Sequence, residues 1–141
     1  MSDPILFTGD WLAGTPVGGY RSLGGFTQPA TITSIVITPT INTTADPNNY
    51  WSVEILHGWP GGSGTAPRWV AASATTQVTS WWVNQPFDLL APVGLDDPMK
   101  IPMAAGEWLA LAVTCVGSKL PTGLGNQAGW IGSLAIYGVW S

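Results

Sequence analysis

Two stretches of this chain, Glu107–Val116 and Trp130–Trp140, alternate with a period of two, yet neither face of either stretch is polar. In the first, Leu109, Leu111, Val113 and Cys115 share one face, and Trp108, Ala110, Ala112, Thr114 and Val116 share the other. In the second, Trp130, Leu134, Ile136 and Trp140 lie opposite Ile131, Ala135, Tyr137 and Val139. A strand sends successive side chains to opposite faces of its sheet. In an antiparallel sandwich one of those faces normally meets solvent. Strands that are apolar on both faces need cover on both sides, and a second copy of the same chain is the economical source of it.

The remaining strand candidates are runs of β-branched and aromatic residues bounded by turn formers. Thr31–Thr38 ends at Pro39, and Tyr50–His57 lies between Ala-Asp-Pro-Asn-Asn and Gly58-Trp-Pro-Gly-Gly. Tyr50–His57 reads as half-buried, with Trp51, Val53 and Ile55 opposite Tyr50, Ser52, Glu54 and Leu56. Arg68–Ser73 and Gln77–Val83 read as a hairpin pair, and Ile5–Thr8 and Met99–Met103 as shorter strands. Ala104–Ala112 is not a helix, because Gly106 interrupts it and the residues after it alternate. The expectation is an all-β, antiparallel β-sandwich of about eight strands over residues 30–141. Residues 1–29 differ in kind: glycine-rich between Gly9 and Gly25, with Trp11, Tyr20 and Arg21 scattered among the glycines. They are expected to form an extended N-terminal arm that packs on another surface.

Charge is scarce. Only 9% of the 141 residues are Asp, Glu, Lys or Arg, against roughly 25% in an ordinary soluble domain. With 45% hydrophobic residues, that balance excludes disorder and a freely solvated helix bundle. It implies a surface that lies partly against other protein. The net charge is −4, and Arg21, Arg68, Lys100 and Lys119 form no cluster. Neither a nucleic-acid backbone nor an anionic membrane surface is therefore an expected partner. One cysteine, Cys115, excludes an intrachain disulfide and a multi-cysteine zinc site; it reads as a small buried hydrophobe. The opening Met-Ser-Asp-Pro has no basic or apolar region of a secretory leader, and none is expected. Residues 120–141 carry no charge, but their apolar part, Trp130–Trp140, is eleven residues. A spanning helix needs about 20, so this part reads as a strand. Asn42-Thr43-Thr44 matches a glycosylation sequon, taken as chance without a secretory route.

Catalytic constellations are thin. His57 is the only histidine, and its place at a strand end beside Gly58 suggests an exposed or capping role. Asp96-Asp97 precedes Pro98 and reads as turn chemistry, while Asp10, Asp46 and Glu54 are isolated in sequence. No nucleophile elbow, zinc-protease helix, phosphate loop or dinucleotide fingerprint occurs. Gly58–Gly64 lacks the Lys-Ser/Thr ending of a phosphate loop. No enzyme activity, cofactor or metal is expected, and one histidine cannot supply a cupin-type metal site. The nine tryptophans are more informative. Trp51, Trp108 and Trp130 lie within strong strands and suit a core or subunit interface. Trp59, Trp69, Trp81, Trp82 and Trp140 lie at strand ends or near turns. Trp81 and Trp82 are adjacent, so one of them faces outward. Trp59, Trp81 and Trp82 form a possible exposed aromatic patch. Such a patch suits a protein interface, or sugar stacking with Asn84, Gln85 and Arg68 gripping hydroxyls.

The run Ile101–Gly117 (IPMAAGEWLALAVTCVG) resembles a phrase of phage virion jelly-roll structural proteins: an Ile-Pro strand, an Ala-Gly-acid turn, then a long apolar strand ending at glycine. Thr31–Thr40, the Asn/Asp turn and Tyr50-Trp-Ser-Val-Glu-Ile are similar to the early strands of such proteins. The likeness spans Thr31 to Trp140 as pattern only and is greatest to capsid decoration (cement) proteins. It implies a jelly-roll-type sandwich on the capsid exterior of a bacteriophage virion, made in the host cytoplasm, with itself (as a homotrimer) and the major capsid protein as partners. Trp108, Ala110, Ala112, Trp130, Leu134, Ile136 and Trp140 would then form the oligomer interface. Ile5, Phe7, Trp11, Tyr20 and Arg21 of the arm would contact the capsid. The alternative is a tail or fibre module, or a lectin-like domain, that binds host glycans through exposed tryptophans.

Overall fold

Isoleucines on one side of Thr31–Thr38 and the apolar sides of the other long strands meet in a single core. The computed structural model describes residues 5–12, 20–40, 42–63, 66–91, 99–117 and 130–141, with backbone alone for 5–12, 20–22, 60–63, 66–69, Cys115, Trp130 and Ile131. Among the described residues there is no helix. The strands are β1 (Ile5–Leu12), β2 (Tyr20–Gly25), β3 (Ala30–Pro39), β4 (Tyr50–Ser63), β5 (Ala66–Thr75), β6 (Phe87–Asp88), β7 (Ile101–Met103), β8 (Trp108–Val116) and β9 (Trp130–Trp140).

They form two antiparallel sheets. One has the order β1-β9-β3, with β6 and β7 both pairing along the far edge of β3; the other has the order β2-β8-β4-β5. The register aligns apolar positions: Ile35 with Ile136, Ile37 with Leu134, Val53 with Val113, and Ile55 with Leu111. These residues, with Ile32, Trp51 and Leu109, make one buried cluster drawn from both sheets. Each such side chain contributes roughly 1.5–3 kcal/mol on leaving water.

The loops are fastened by hydrogen bonds. The Trp51 amide donates to Thr76 Oγ1 at 2.9 Å, and the Thr76 amide donates to the Trp51 carbonyl at 3.0 Å. Asp46 Oδ1 accepts the amides of Asn48 and Asn49, an Asx turn that starts β4. Asp88 does the same for β6: Oδ1 accepts the amides of Ile35 and Leu90, and Oδ2 accepts the Ser34 hydroxyl at 2.7 Å. Asp88→Ala leaves three donors to find new partners and should cost about 2–3 kcal/mol in a urea melt. Gly117 ends β8 at φ +111°, and a Cβ there would overlap the Asn48 carbonyl oxygen. Gly117→Ala should cost about 1–3 kcal/mol, read by thermal or urea unfolding.

Two expectations need correction. Gln77–Val83 is not a strand paired with Arg68–Ser73; β5, which contains Arg68–Ser73, pairs with β4. The 77–83 segment makes only the isolated bridge Thr43↔Trp81, because the turn at Asn84 and then Pro86 leave it no second ladder. Residues 5–12 and 20–25, expected within an extended arm that packs on another surface, are strands of the sandwich itself. β1 pairs with β9 and β2 with β8, so each closes one sheet as an edge strand. Ile5–Thr8, expected as a short strand, lies within β1, whereas the glycines of Tyr20–Gly25 obscured β2, since glycine is depleted from strand interiors.

Candidate interaction surfaces

The outer face of the first sheet is built where β3 and β9 run side by side. Val36 pairs with Ala135, Thr38 with Ser133, Ser34 with Tyr137, and Thr31 with Val139. All are half-buried or exposed in the single chain. None is an acid or a base. Asp88 borders this face, but its oxygens accept hydrogen bonds from Ser34, Ile35 and Leu90. Small, β-branched and hydroxyl side chains therefore make an uncharged strip along β3 and β9, flanked on the β1 side by Asp10, which is in register with Ser133.

This placement revises the expected oligomer interface. Leu134 and Ile136 are 3% and 1% exposed, because their partners are Ile37 and Ile35 on the core side. They cannot meet another subunit; the available face of β9 is the opposite one, with Ala135, Tyr137 and Val139. Ala110 is also buried within this chain, as is its partner Leu56. Part of the second covering layer of β8 is therefore intramolecular. Ala112 is half-buried. The side chains of Trp130, Ile5, Phe7, Trp11, Tyr20 and Arg21 lie outside the described set, as does the pair Asp96-Asp97.

One end of the sandwich gathers aromatic residues. The Trp108 indole lies over Gly58 of the neighbouring strand, where a Cβ would overlap its ring. Its Nε1–H donates to the Trp59 carbonyl at 3.1 Å. Trp140 is exposed and stacks at a tilt on Phe26, with centroids 5.8 Å apart. Beside this end an open cleft of about 420 Å³ is lined by His57, Val70, Ala71, Lys100, Ile101, Pro102 and Glu107. His57 is not exposed or capping: it is 4% exposed, and its Nε2 lies 3.2 Å from Glu107 Oε1. The same Oε1 accepts the Ala104 amide at 2.6 Å. Glu107 thus closes the turn before β8 and anchors the imidazole. No group of three metal-binding side chains occurs among the described residues.

The opposite end carries the Trp81–Trp82 pair. Trp81 is not part of an exposed patch; it is 5% exposed and packs on Phe87 at a centroid distance of 5.2 Å. Trp82 is 46% exposed, and Trp59 is exposed at the far end of β4. The three residues therefore do not form one patch. The Gly58–Trp108 seat is hidden in sequence because Gly58 looks like a strand terminator, whereas it lies inside β4. Glycine within a strand marks close approach of a neighbour, and that signal was present. The chain matches no protein-family model, no curated protein and no solved structure with which it was compared.

Proposed function

We propose that this chain is a noncatalytic jelly-roll structural protein that self-associates, as a homotrimer, and binds the exterior of a bacteriophage capsid to stabilise the shell. The pairing pattern supports the jelly-roll reading. β4 with β5, β3 with β6 and β7, β2 with β8, and β1 with β9 are the successive rungs of one nested antiparallel ribbon rolled into two sheets. The observation that carries the assembly reading is the uncharged strip of β3 and β9. A strip of hydroxyl, small and β-branched side chains can be withdrawn from water at low electrostatic cost where the contact is centred on β3 and β9 and leaves Asp10, in register with Ser133 on β1, at its margin. β1 and β2, which hold Ile5, Phe7, Trp11, Tyr20 and Arg21, are edge strands, and an edge offers backbone groups to a neighbouring protein.

The mechanism is mass action. A ligand that binds only the assembled shell stabilises it by about 2.7 kcal/mol per site at a hundredfold excess over Kd. The test is quantitative mass spectrometry of gradient-purified particles carrying this chain. The expected result is a fixed ratio to the major capsid protein that is lost together with heat resistance of the shell. Recovery of the chain only from the soluble fraction would overturn the capsid assignment.

A further inference from the structure

We infer that the turn carrying Trp82 is a binding site for a neutral saccharide, a role independent of the assembly proposed above. The indole is held outward by a fixed frame. On the core side, Trp81 packs on Phe87, and its backbone exchanges hydrogen bonds of 2.8 and 2.9 Å with Thr43. On the outer side, the Val83 amide donates to Asn42 Oδ1 at 2.8 Å. The Asn84 amide donates to the Pro39 carbonyl at 2.9 Å, and the Gln85 amide to the Trp82 carbonyl at 3.1 Å. Asn84 holds φ 60°, the only non-glycine residue at positive φ among those described. Asparagine tolerates that conformation better than most residues, which suits it to this turn.

The chemistry around the ring selects the ligand. Trp82, Val83, Asn84, Gln85, Thr40 and Asn42 are all exposed and uncharged. A nucleic acid or other polyanion finds no cation among these residues. An exposed indole on a turn that also carries the primary amides of Asn84 and Gln85, each with donors and an acceptor, matches a pyranose: a C–H face to stack and hydroxyls that both give and take hydrogen bonds. The fixed turn lowers the ordering cost of binding.

The full chain is titrated with cellohexaose, maltoheptaose and chitohexaose, following tryptophan fluorescence and heat. At least one should saturate with Kd of about 1 mM or tighter. Trp82→Ala should weaken that binding about tenfold or more, while Trp59→Ala, at the other end of β4, should not; thermal melts establish that both variants fold. Failure of all three sugars to saturate, or equal binding by Trp82→Ala, overturns the proposal. A parent chain that binds none of the sugars, with a Trp82→Ala variant that changes the mass of the assembly, likewise overturns it and makes the turn a protein contact. A chain that is monomeric yet binds sugar through Trp82 contradicts the assembly reading alone.

Discussion

Replacing Gly58 with alanine should destabilise the fold by about 2–4 kcal/mol in urea unfolding, a large effect for one methyl group. Gly58 pairs with Trp108 across β4 and β8, and the added Cβ would fall within the indole, overlapping Cζ2 and Cε2. Backbone pairing holds both residues, so the ring must leave. It loses the hydrogen bond to the Trp59 carbonyl, worth about 1 kcal/mol, and the contact area of a large aromatic side chain. A double-mutant cycle isolates the cause. In a Trp108→Ala background the same Gly58→Ala change should be close to neutral, since nothing remains to be displaced. Equal destabilisation in both backgrounds would place the cost elsewhere.

The second large effect concerns assembly. Ala135→Glu puts a carboxylate at the centre of the uncharged strip, beside its partner Val36. In the single chain that position is half-buried on the outer face, so the fold should lose about 1 kcal/mol. In a trimer each copy would bury an unpaired charge, at about 3–5 kcal/mol. The association constant should fall on the order of a hundredfold or more, and the complex should dissociate at micromolar concentration. Ala135→Ser, uncharged and similar in size, should remain assembled. An Ala135→Glu variant that stays as large as the parent would move the interface to another surface.

The strands that alternate or are densely β-branched were legible from residues alone. Thr31–Thr38, Tyr50–His57, Glu107–Val116 and Trp130–Trp140 lie within or nearly coincide with β3, β4, β8 and β9, because backbone period and burial there agree. β2 was not legible: Tyr20–Gly25 carries two glycines, and its strand character comes from its ladder with β8. Which face of β9 turns inward was misread for a related reason. Both faces are apolar, so only the pairing of Leu134 and Ile136 with Ile37 and Ile35 decides. His57 was misjudged because its partner, Glu107, is fifty residues away in sequence. The site features arise the same way. The Trp82 turn is assembled from Pro39, Asn42 and residues 82–85, segments that no local pattern joins.

The proposed self-association rests on the strip of uncharged residues along β3 and β9. Sedimentation velocity of the unmodified chain between about 1 and 50 µM tests that most directly, a range in which a standard protein interface should be occupied. The expected result is one boundary with the mass of a trimer, converted to monomer by Ala135→Glu. A single monomeric boundary across the whole range would contradict it.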